Sequence, residues 1–321
     1  MIEISIGAVL AAIGAGLAIG LTAIGSGIGV GITGSAGVGA IAENPDKFGT
    51  AIVFQALPQT QGIYGLLTAI LILMFTGFLG GGNLADVPVS IGLVSIGAGL
   101  AVGLAGFSAI GQGIASAAGI GATAEDSDAM GRSMVFSVLP ETQAIYGLLV
   151  AILLMAFTGM FEGEFIDNAA IGFVAIGCGL AIGLAGLSGI GQGIASAAGV
   201  GATAEDSKAM GRSMVFSVLP ETQAIYGLLV AILLMAFTGM FYGDLREEVA
   251  IGFAAIGCGL AVGLAGLSGI GQGITASSAI GAIIRNPAVM GRGLILSVMS
   301  ETFAIFGLLV AILIMSGIGL L

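Results

Sequence analysis

Three carboxylates stand in long apolar stretches of the chain, at equal spacing. Glu141, Glu221 and Glu301 are 80 residues apart, and Glu141 is the only formal charge between Ser133 and Phe161. An ionisable side chain at membrane depth is costly, so its presence there indicates a function. The carboxyl group must either be protonated or bind a cation and hydrogen-bond donors, and exchange between these states is the chemistry of an ion carrier. The alternative is a structural carboxylic acid that bonds a neighbouring helix, which three copies in one setting disfavour.

The same short motif surrounds each carboxylate. Leu139–Gly147 reads Leu-Pro-Glu-Thr-Gln-Ala-Ile-Tyr-Gly, and Leu219–Gly227 repeats it without change. Met299–Gly307 is a variant, Met-Ser-Glu-Thr-Phe-Ala-Ile-Phe-Gly, in which a serine precedes the acid instead of proline. A degraded copy at Leu57–Gly65 carries Gln59 in place of the acid. The chain therefore contains four related units, of which three retain a carboxylate.

Polar side chains recur at fixed positions around these acids. A glutamine between two glycines lies on the apolar segment before each acid, and a threonine and a glutamine follow the acid position in the first three units. These residues are Gln112, Gln192 and Gln272, and the pairs Thr60 and Gln61, Thr142 and Gln143, Thr222 and Gln223. Carboxylate, amide, hydroxyl and carbonyl oxygens suit a hard cation such as Na⁺. Hydrogen bonding between helices is the alternative role for these polar groups.

The composition is that of an integral membrane protein. Of 321 residues, 57% are apolar and 8% are charged, and the mean hydropathy is +1.17, whereas a soluble domain carries about a quarter charged residues. Seven Lys and Arg in the whole chain cannot form a surface for nucleic acid. There is no His, and no Gly-Lys-Ser/Thr phosphate loop, so the sequence predicts no catalytic site, no resident cofactor and no direct nucleotide contact.

Internal repetition predicts an all-α fold of eight transmembrane helices in four hairpins. The predicted hairpins are 1–82, which lacks the carboxylate, 83–164, 165–244 and 245–321. Each holds two apolar segments longer than the ~20 residues that span a bilayer. The odd-numbered segments are rich in Gly and Ala and should pack closely as an inner layer, and the even-numbered ones are richer in Leu and Phe and should face lipid. The predicted bounds are Ile4–Ala42, Val89–Ala124, Ala169–Ala204 and Val249–Ile284 for the inner helices, and Thr50–Leu79, Ser133–Phe161, Ser213–Phe241 and Gly293–Leu320 for the outer ones.

The distribution of basic residues predicts the orientation in the membrane. The loops within the hairpins hold six of the seven Lys and Arg residues, and the loops between hairpins hold only Arg246. The positive-inside rule therefore places the first set of loops in the cytoplasm and both termini outside the cell membrane. The six basic residues are Lys47, Arg132, Lys208, Arg212, Arg285 and Arg292.

Over almost its whole length the chain resembles the proteolipid (c or K) subunit of the A/V-type rotary ATPases, as a tandem fusion of four hairpins. The Pro-Glu-Thr-Gln/Ile-Tyr-Gly run and its Gly-Gln-Gly partner carry this resemblance. It implies a two-layered rotor ring of copies of this chain in lipid, which turns against a stator membrane subunit with a basic residue facing the Glu. Central-stalk subunits would bind the cytoplasmic loops and couple the ring to ATP hydrolysis or synthesis in other subunits.

In sodium-dependent members of this family the ion lies between adjacent outer helices, and the resemblance implies three such sites here. The first would join Glu141 and Gln112 with Leu57, Thr60, Gln61 and Tyr64. The second would join Glu221 and Gln192 with Leu139, Thr142, Gln143 and Tyr146. The third would join Glu301 and Gln272 with Leu219, Thr222, Gln223 and Tyr226.

A fourth interface would form between the first hairpin of one copy and the last hairpin of the next, and it lacks the ligands. It offers Gln59, Val30 (or Gly29 in an alternative alignment), Phe303 and Phe306, and of the motif's side chains only Thr302 remains. We therefore expect three sites for every four hairpins. Fewer ions per turn favour ATP-driven pumping over synthesis.

Other interpretations stay open at this point. The same rotor could carry H⁺ instead of Na⁺. A repeat-built secondary transporter is disfavoured because these repeats are parallel hairpins, whereas transporters commonly use inverted repeats and broken helices around one central site. A purely structural membrane oligomer would not need Gln, Thr and Tyr around each Glu.

Overall fold

The computed structural model describes residues 3–321, and eight long helices account for most of them. The predicted all-α fold is confirmed, since the described residues contain helices and no strand. All eight helices are long and apolar enough to cross a membrane. They are α1 Ile6–Glu43, α2 Pro45–Phe75, α3 Val89–Glu125, α4 Ser127–Phe157, α5 Ala169–Glu205, α6 Ser207–Phe237, α7 Val249–Arg285 and α8 Pro287–Gly317.

The helices form two layers. The inner helices α1, α3, α5 and α7 pack side by side in chain order. Each outer helix packs on the inner helix of its own hairpin, and the first three also contact the inner helix of the next hairpin. Every outer helix but the last therefore lies over the joint between two consecutive inner helices, and it contributes side chains to the interface between two hairpins.

Glycines allow the inner helices to approach at backbone distance. Gly111 of α3 lies against the carbonyl of Gly189 in α5, and Gly191 of α5 lies against that of Gly269 in α7. A Cβ atom at either position would overlap the neighbouring backbone, so only glycine fits. This close packing of the inner layer fixes the spacing of the hairpins and hence of the groups between them.

Three of the four inner helices contain a short 3₁₀ turn near their middle. In α3 the turn lies at Gly106 and Phe107, where Phe107 N donates to Leu104 O at 3.1 Å and Ile110 N donates to Phe107 O at 3.0 Å. Corresponding turns interrupt α5 and α7. Helix α1 is α-helical without interruption from Ile6 to Glu43.

The continuous helix α1 has one residue more than its counterparts over the same distance. Gly99 contacts the backbone of Gly14 as Gly179 contacts that of Gly97, so Gly14 and Gly97 are equivalent. In the same way, Gly113 contacts Gly29 and Gly193 contacts Gly111, so Gly29 and Gly111 are equivalent. Gly14 to Gly29 is therefore a step of 15 residues, whereas Gly97 to Gly111 is a step of 14. A 3₁₀ turn rises about 2.0 Å per residue against about 1.5 Å in an α-helix, so one such turn makes up for one missing residue.

The outer helices start and end earlier than the sequence predicted. Each begins with a 3₁₀ turn whose first amides are capped by an Asn or Asp side chain, at Asn44, Asp126, Asp206 and Asn286. The first three end near Phe75, Phe157 and Phe237, just before the glycines Gly77, Gly159 and Gly239, whose φ angles are 88°, 72° and 81°. A glycine in this left-handed region commonly ends a helix. Hydropathy alone does not register such caps, which explains the difference.

Candidate ion-binding sites between hairpins

Each motif begins with a short turn that interrupts the α-helical pattern of its outer helix. Leu139–Glu141 forms a 3₁₀ turn, and α-helix resumes at Thr142. Pro140 explains the interruption, because proline has no amide hydrogen and clashes with the preceding turn. In α8 a serine replaces this proline, and a turn still separates Val298 from Glu301. In the first three units, the carbonyl of the turn's first residue accepts a hydrogen bond from a threonine hydroxyl.

Both oxygens of the Glu141 carboxylate accept hydrogen bonds from other helices. The Tyr64 hydroxyl on α2 donates to Oε1 at 2.6 Å. The Gln112 amide on α3 donates to Oε2 at 3.2 Å. The acid and its glutamine come from hairpin 2 and the tyrosine from hairpin 1, so the arrangement exists only where two hairpins meet.

A series of hydrogen bonds links the carboxylate's glutamine to polar groups of the first hairpin. Gln61 Nε2 donates to Gln112 Oε1 at 2.6 Å. The Thr60 hydroxyl lies 3.1 Å from Gln61 Oε1 and 3.0 Å from the Leu57 carbonyl oxygen. Both amides are completely buried. Carboxylate, two amide oxygens, a hydroxyl and a backbone carbonyl thus converge on one small region.

The second and third interfaces repeat this geometry. At the second, Tyr146 and Gln192 donate to Glu221 at 2.7 and 3.2 Å, Gln143 donates to Gln192 at 2.6 Å, and Thr142 donates to Leu139 O at 3.0 Å. At the third, Tyr226 and Gln272 donate to Glu301 at 2.7 and 3.2 Å, Gln223 donates to Gln272 at 2.7 Å, and Thr222 donates to Leu219 O at 2.9 Å. The structure thus brings together each of the three groups of residues that the sequence singled out.

The donor set suits a cation held by one charge and several neutral oxygens. In residues 3–321 no three His, Cys, Asp or Glu side chains cluster in a group that could hold a metal ion. Each site instead combines a single carboxylate with uncharged oxygen ligands. Because a hard monovalent cation leaves such a set neutral overall, the charge need not remain unpaired in the apolar layer.

Comparison with known proteins gives the family. The family model for the C subunit of ATP synthase matches four times, at residues 13–72, 96–154, 176–234 and 249–314. The A-type ATP synthase subunit K of Methanocaldococcus jannaschii is 58% identical over 227 residues, which is 71% of this chain and 96% of that protein. The chain belongs to this proteolipid family. It is a non-catalytic membrane rotor subunit of the A/V-type rotary ATPases.

More distant relatives of this proteolipid are named for different ions. The V-type sodium ATPase subunit K of Enterococcus hirae is 37% identical over 38% of this chain and 75% of its own length. The 16 kDa proteolipid of the V-type proton ATPase of Nephrops norvegicus is 33% identical over 41% of this chain and 84% of its own length. Family membership therefore leaves the transported ion undecided.

The residues of the expected fourth interface lie on the two open sides of the proteolipid, which are the sides of hairpins 1 and 4 that no other hairpin of the chain covers. Phe303 and Phe306 of hairpin 4 are 62% and 55% exposed. Gln59 of hairpin 1 is exposed and donates only to the Gln55 carbonyl, at 3.5 Å. Because Gly29 is equivalent to Gly111, Val30 is the residue that corresponds to Gln112. The contacts thus select Val30 from the two alignments that the sequence allowed.

Two polar features near the sites were not singled out from the sequence. Gln55 occupies the position of Ser137, fills the space beside Gly34 and donates to the Val30 carbonyl at 3.4 Å. Ser108 is completely buried beside Gly189, which also lies next to the amide oxygen of Gln143. A serine four residues before the Gly-Gln-Gly glutamine was the available signal, since serines recur there in all four units, at Ser26, Ser108, Ser188 and Ser268.

Proposed function

We propose that copies of this chain form a rotor ring that carries Na⁺ on Glu141, Glu221 and Glu301, one ion at each interface between consecutive hairpins of a chain. The supporting observation is the threefold recurrence of one oxygen-rich arrangement around a carboxylate at membrane depth. A structural role would need only a hydrogen-bonded acid. Two buried glutamines and a threonine hydroxyl in each copy exceed that requirement.

Sodium is favoured over the proton by the number of oxygens at the site. A proton needs only the carboxylate and one acceptor, whereas Na⁺ needs several oxygen ligands to replace its hydration shell. At the first site these ligands would be Glu141, Gln112, Gln61, Thr60 and the Leu57 carbonyl. Tyr64 would orient the carboxylate through its 2.6 Å hydrogen bond rather than bind the ion.

The proposed ring carries three ions for every four hairpins. Hairpin 1 contributes Gln59 and Val30 to the junction between copies, and hairpin 4 contributes Phe303 and Phe306. An amide, an alkyl group and two phenyl rings supply no negative charge to a cation. Since fewer ions are moved per turn, each ATP can drive them against a steeper gradient, which favours pumping over synthesis.

The proposed partners are those that membership in the family of rotary-ATPase proteolipids implies. The apolar outer helices would face lipid, and a stator subunit would present a basic residue to each Glu as it passes. The loops that carry Lys47 and the arginines would lie in the cytoplasm, where central-stalk subunits bind, and both termini would lie outside. The proteolipid itself would contact neither nucleotide nor nucleic acid.

Carbodiimide labelling of the purified ring tests the sites and the ion together. The reagent modifies protonated carboxyl groups, and mass spectrometry locates the product. We expect labelling confined, within the membrane, to Glu141, Glu221 and Glu301, and suppressed by Na⁺ across a pH series. Labelling of the same three residues that ignores Na⁺ would make the ring a proton carrier, and absence of labelling there would overturn the proposal.

A further inference from the structure

We propose that consecutive copies of this chain join hairpin 4 to hairpin 1, with Arg285 of one copy beside Glu43 of the next as an electrostatic lock. The inference rests on the proposed ring and adds the residues that select its junction. Hairpin 4 and hairpin 1 are the two ends of the chain's row of hairpins, and each has one side that no other hairpin of the chain covers. The uncovered side of hairpin 4 would therefore bind the uncovered side of hairpin 1 in a second copy.

The first support is the position of these two residues at the ends of equivalent helices. Glu43, Glu125, Glu205 and Arg285 are the last residues of α1, α3, α5 and α7. Glu125 and Glu205 line one groove between hairpins 2 and 3, and Glu205 and Arg285 line the corresponding groove between hairpins 3 and 4. Continuing the same arrangement by one hairpin brings Arg285 into a groove with the Glu43 of the next copy.

The charges of the loops are complementary at that junction and nowhere else to the same degree. The loop of hairpin 4 carries Arg285 and Arg292 with no acid. The loop of hairpin 1 carries Glu43, Asp46 and Lys47 and is net negative. Inside the chain, by contrast, three acids and no base line the groove between hairpins 2 and 3. The only wholly basic loop thus lies at one open side and a net acidic loop at the other.

A large apolar side chain that its own chain leaves mostly exposed lies on the open side of hairpin 4. The rings of Phe54, Phe136 and Phe216 are completely buried, and the first two press against Gly119 and Gly199 of the next inner helix. The fourth member of this series is Leu296, which is 59% exposed. The glycine equivalent to Gly119 is Gly37, which is already buried beside Ala51 and Ile120 of its own chain, so a second copy would cover Leu296 with other groups of hairpin 1.

The backbone contacts give the register of the junction. Gly113, Gly193 and Gly273 each lie against the preceding inner helix, at Gly29, Gly111 and Gly191. A Cβ atom at the equivalent Gly31 of α1 would have nothing within 4 Å. On the other side, Gly271 is the counterpart of Gly111 and Gly191, yet it lacks their contact with a following helix. Gly31 of one copy therefore meets Gly271 of its neighbour.

The lock also discriminates against wrong junctions. Two copies joined through hairpin 4 would bring Arg285 to Arg285, and two joined through hairpin 1 would bring Glu43 to Glu43. Both arrangements place like charges together, and both end in a closed pair instead of a ring. Head-to-tail joining is the arrangement in which the charges attract and the assembly can continue.

A charge-reversal cycle on the full-length ring tests the lock. We expect Arg285→Glu and Glu43→Arg each to lower, by several degrees, the temperature at which the detergent-solubilised ring dissociates into single chains. The double variant should recover most of that loss, although Arg285 also faces Glu205 within its own chain. Glu125→Arg, the matched reversal at an internal groove, should not promote dissociation into single chains. Additive losses in the double variant would overturn the lock.

A steric variant tests the register independently of charge. Gly31→Leu adds a side chain where the chain's own fold has open space, so we expect a folded chain that fails to close into rings on native mass spectrometry. Gly121→Leu, also at an open glycine but away from the junction, should form normal rings. Normal rings from Gly31→Leu would refute the register. If the unaltered chain formed no ring, the proposed rotor itself would fail instead.

Discussion

Hairpin 1 and hairpins 2 to 4 share one architecture but differ at the positions where an ion would bind. Hairpin 3 brings Glu221 and Gln192 to its interface with hairpin 2, whereas hairpin 1 brings Gln59 and Val30 to its own open side. The complementary side of hairpin 4 has changed as well, since Phe303 and Phe306 replace the Gln and Tyr of hairpins 1 to 3. The changes follow the interface and not the hairpin. This pattern supports the proposal that each ion site lies between two hairpins.

The largest effect is expected when another hairpin is given the neutral residue of hairpin 1. Glu221→Gln places in hairpin 3 the residue that hairpin 1 has at position 59. We expect Na⁺ bound per chain to fall from three to two, because an amide carries no charge to offset the cation. Binding of radioactive Na⁺ to the purified ring measures this number. Gln59→Asn is the control and should leave three, while three ions in the Glu221→Gln ring would contradict the site assignment.

The second change copies the inner-helix residue of hairpin 1. Gln192→Val removes the donor to Glu221 and one proposed oxygen ligand, and it leaves Gln143 unpaired. Loss of a hydrogen bond to a charged group costs about 1.5–3 kcal/mol, so Na⁺ affinity at Glu221 should fall about tenfold or more. The Na⁺ concentration that protects Glu221 from carbodiimide reports the affinity. Glu141 and Glu301 in the same chain are internal controls and should keep their protection.

The third change copies hairpin 4. Tyr146→Phe removes the hydroxyl that donates to Glu221 at 2.7 Å but keeps the ring and every proposed ion ligand. We expect a loss of about tenfold in Na⁺ affinity at Glu221, smaller than that of Gln192→Val, since one hydrogen bond to the charged carboxylate is lost but no ligand. The same protection assay measures it. A loss equal to that of Gln192→Val would mean that the hydroxyl is itself a ligand.

The smallest effect concerns a contact that only hairpin 1 makes. Lys47 Nζ donates to Thr123 O at 2.8 Å and to Ser127 Oγ at 3.0 Å, near the end of α3, while the equivalent positions in hairpins 2 to 4 are Ala or Val. Lys47→Met should lower stability by about 0.5 kcal/mol, a typical value for a partly exposed charged contact. Thermal unfolding in detergent checks this value. Lys208→Met, whose ammonium makes no such contact, is the control.

The sequence predicts the hairpins and groups the site residues because both depend on chemistry that repeats with the chain. Glu141, Gln112 and Gln61 stand out as polar residues in apolar surroundings, and their recurrence relates one interface to the next. The start and end points of the outer helices were predicted less well. Capping by Asn44 and a glycine at positive φ are local backbone features that hydropathy does not register.

Other features depend on neighbours that lie far away in the sequence. The 3₁₀ turn at Gly106 differs little in composition from the glycines around it, and only the contacts with α1 and α5 reveal that one residue is missing. The role of Gln55 as a filler beside Gly34 likewise appears only when the two helices are packed. Ser108 packs against Gly189 of another hairpin, a contact that the recurrence of the serine does not reveal by itself.

The neutral residue at position 59 has a mechanical consequence. Within a chain, neighbouring carboxylates are one hairpin apart, but from Glu301 of one copy to Glu141 of the next the distance is two hairpins. A ring built in this way would rotate in unequal angular steps, two steps of one hairpin and one step of two hairpins for every chain. Elastic twist of the central stalk would have to store energy during the longer step. The torsional stiffness of the stalk would therefore affect how evenly the ring rotates.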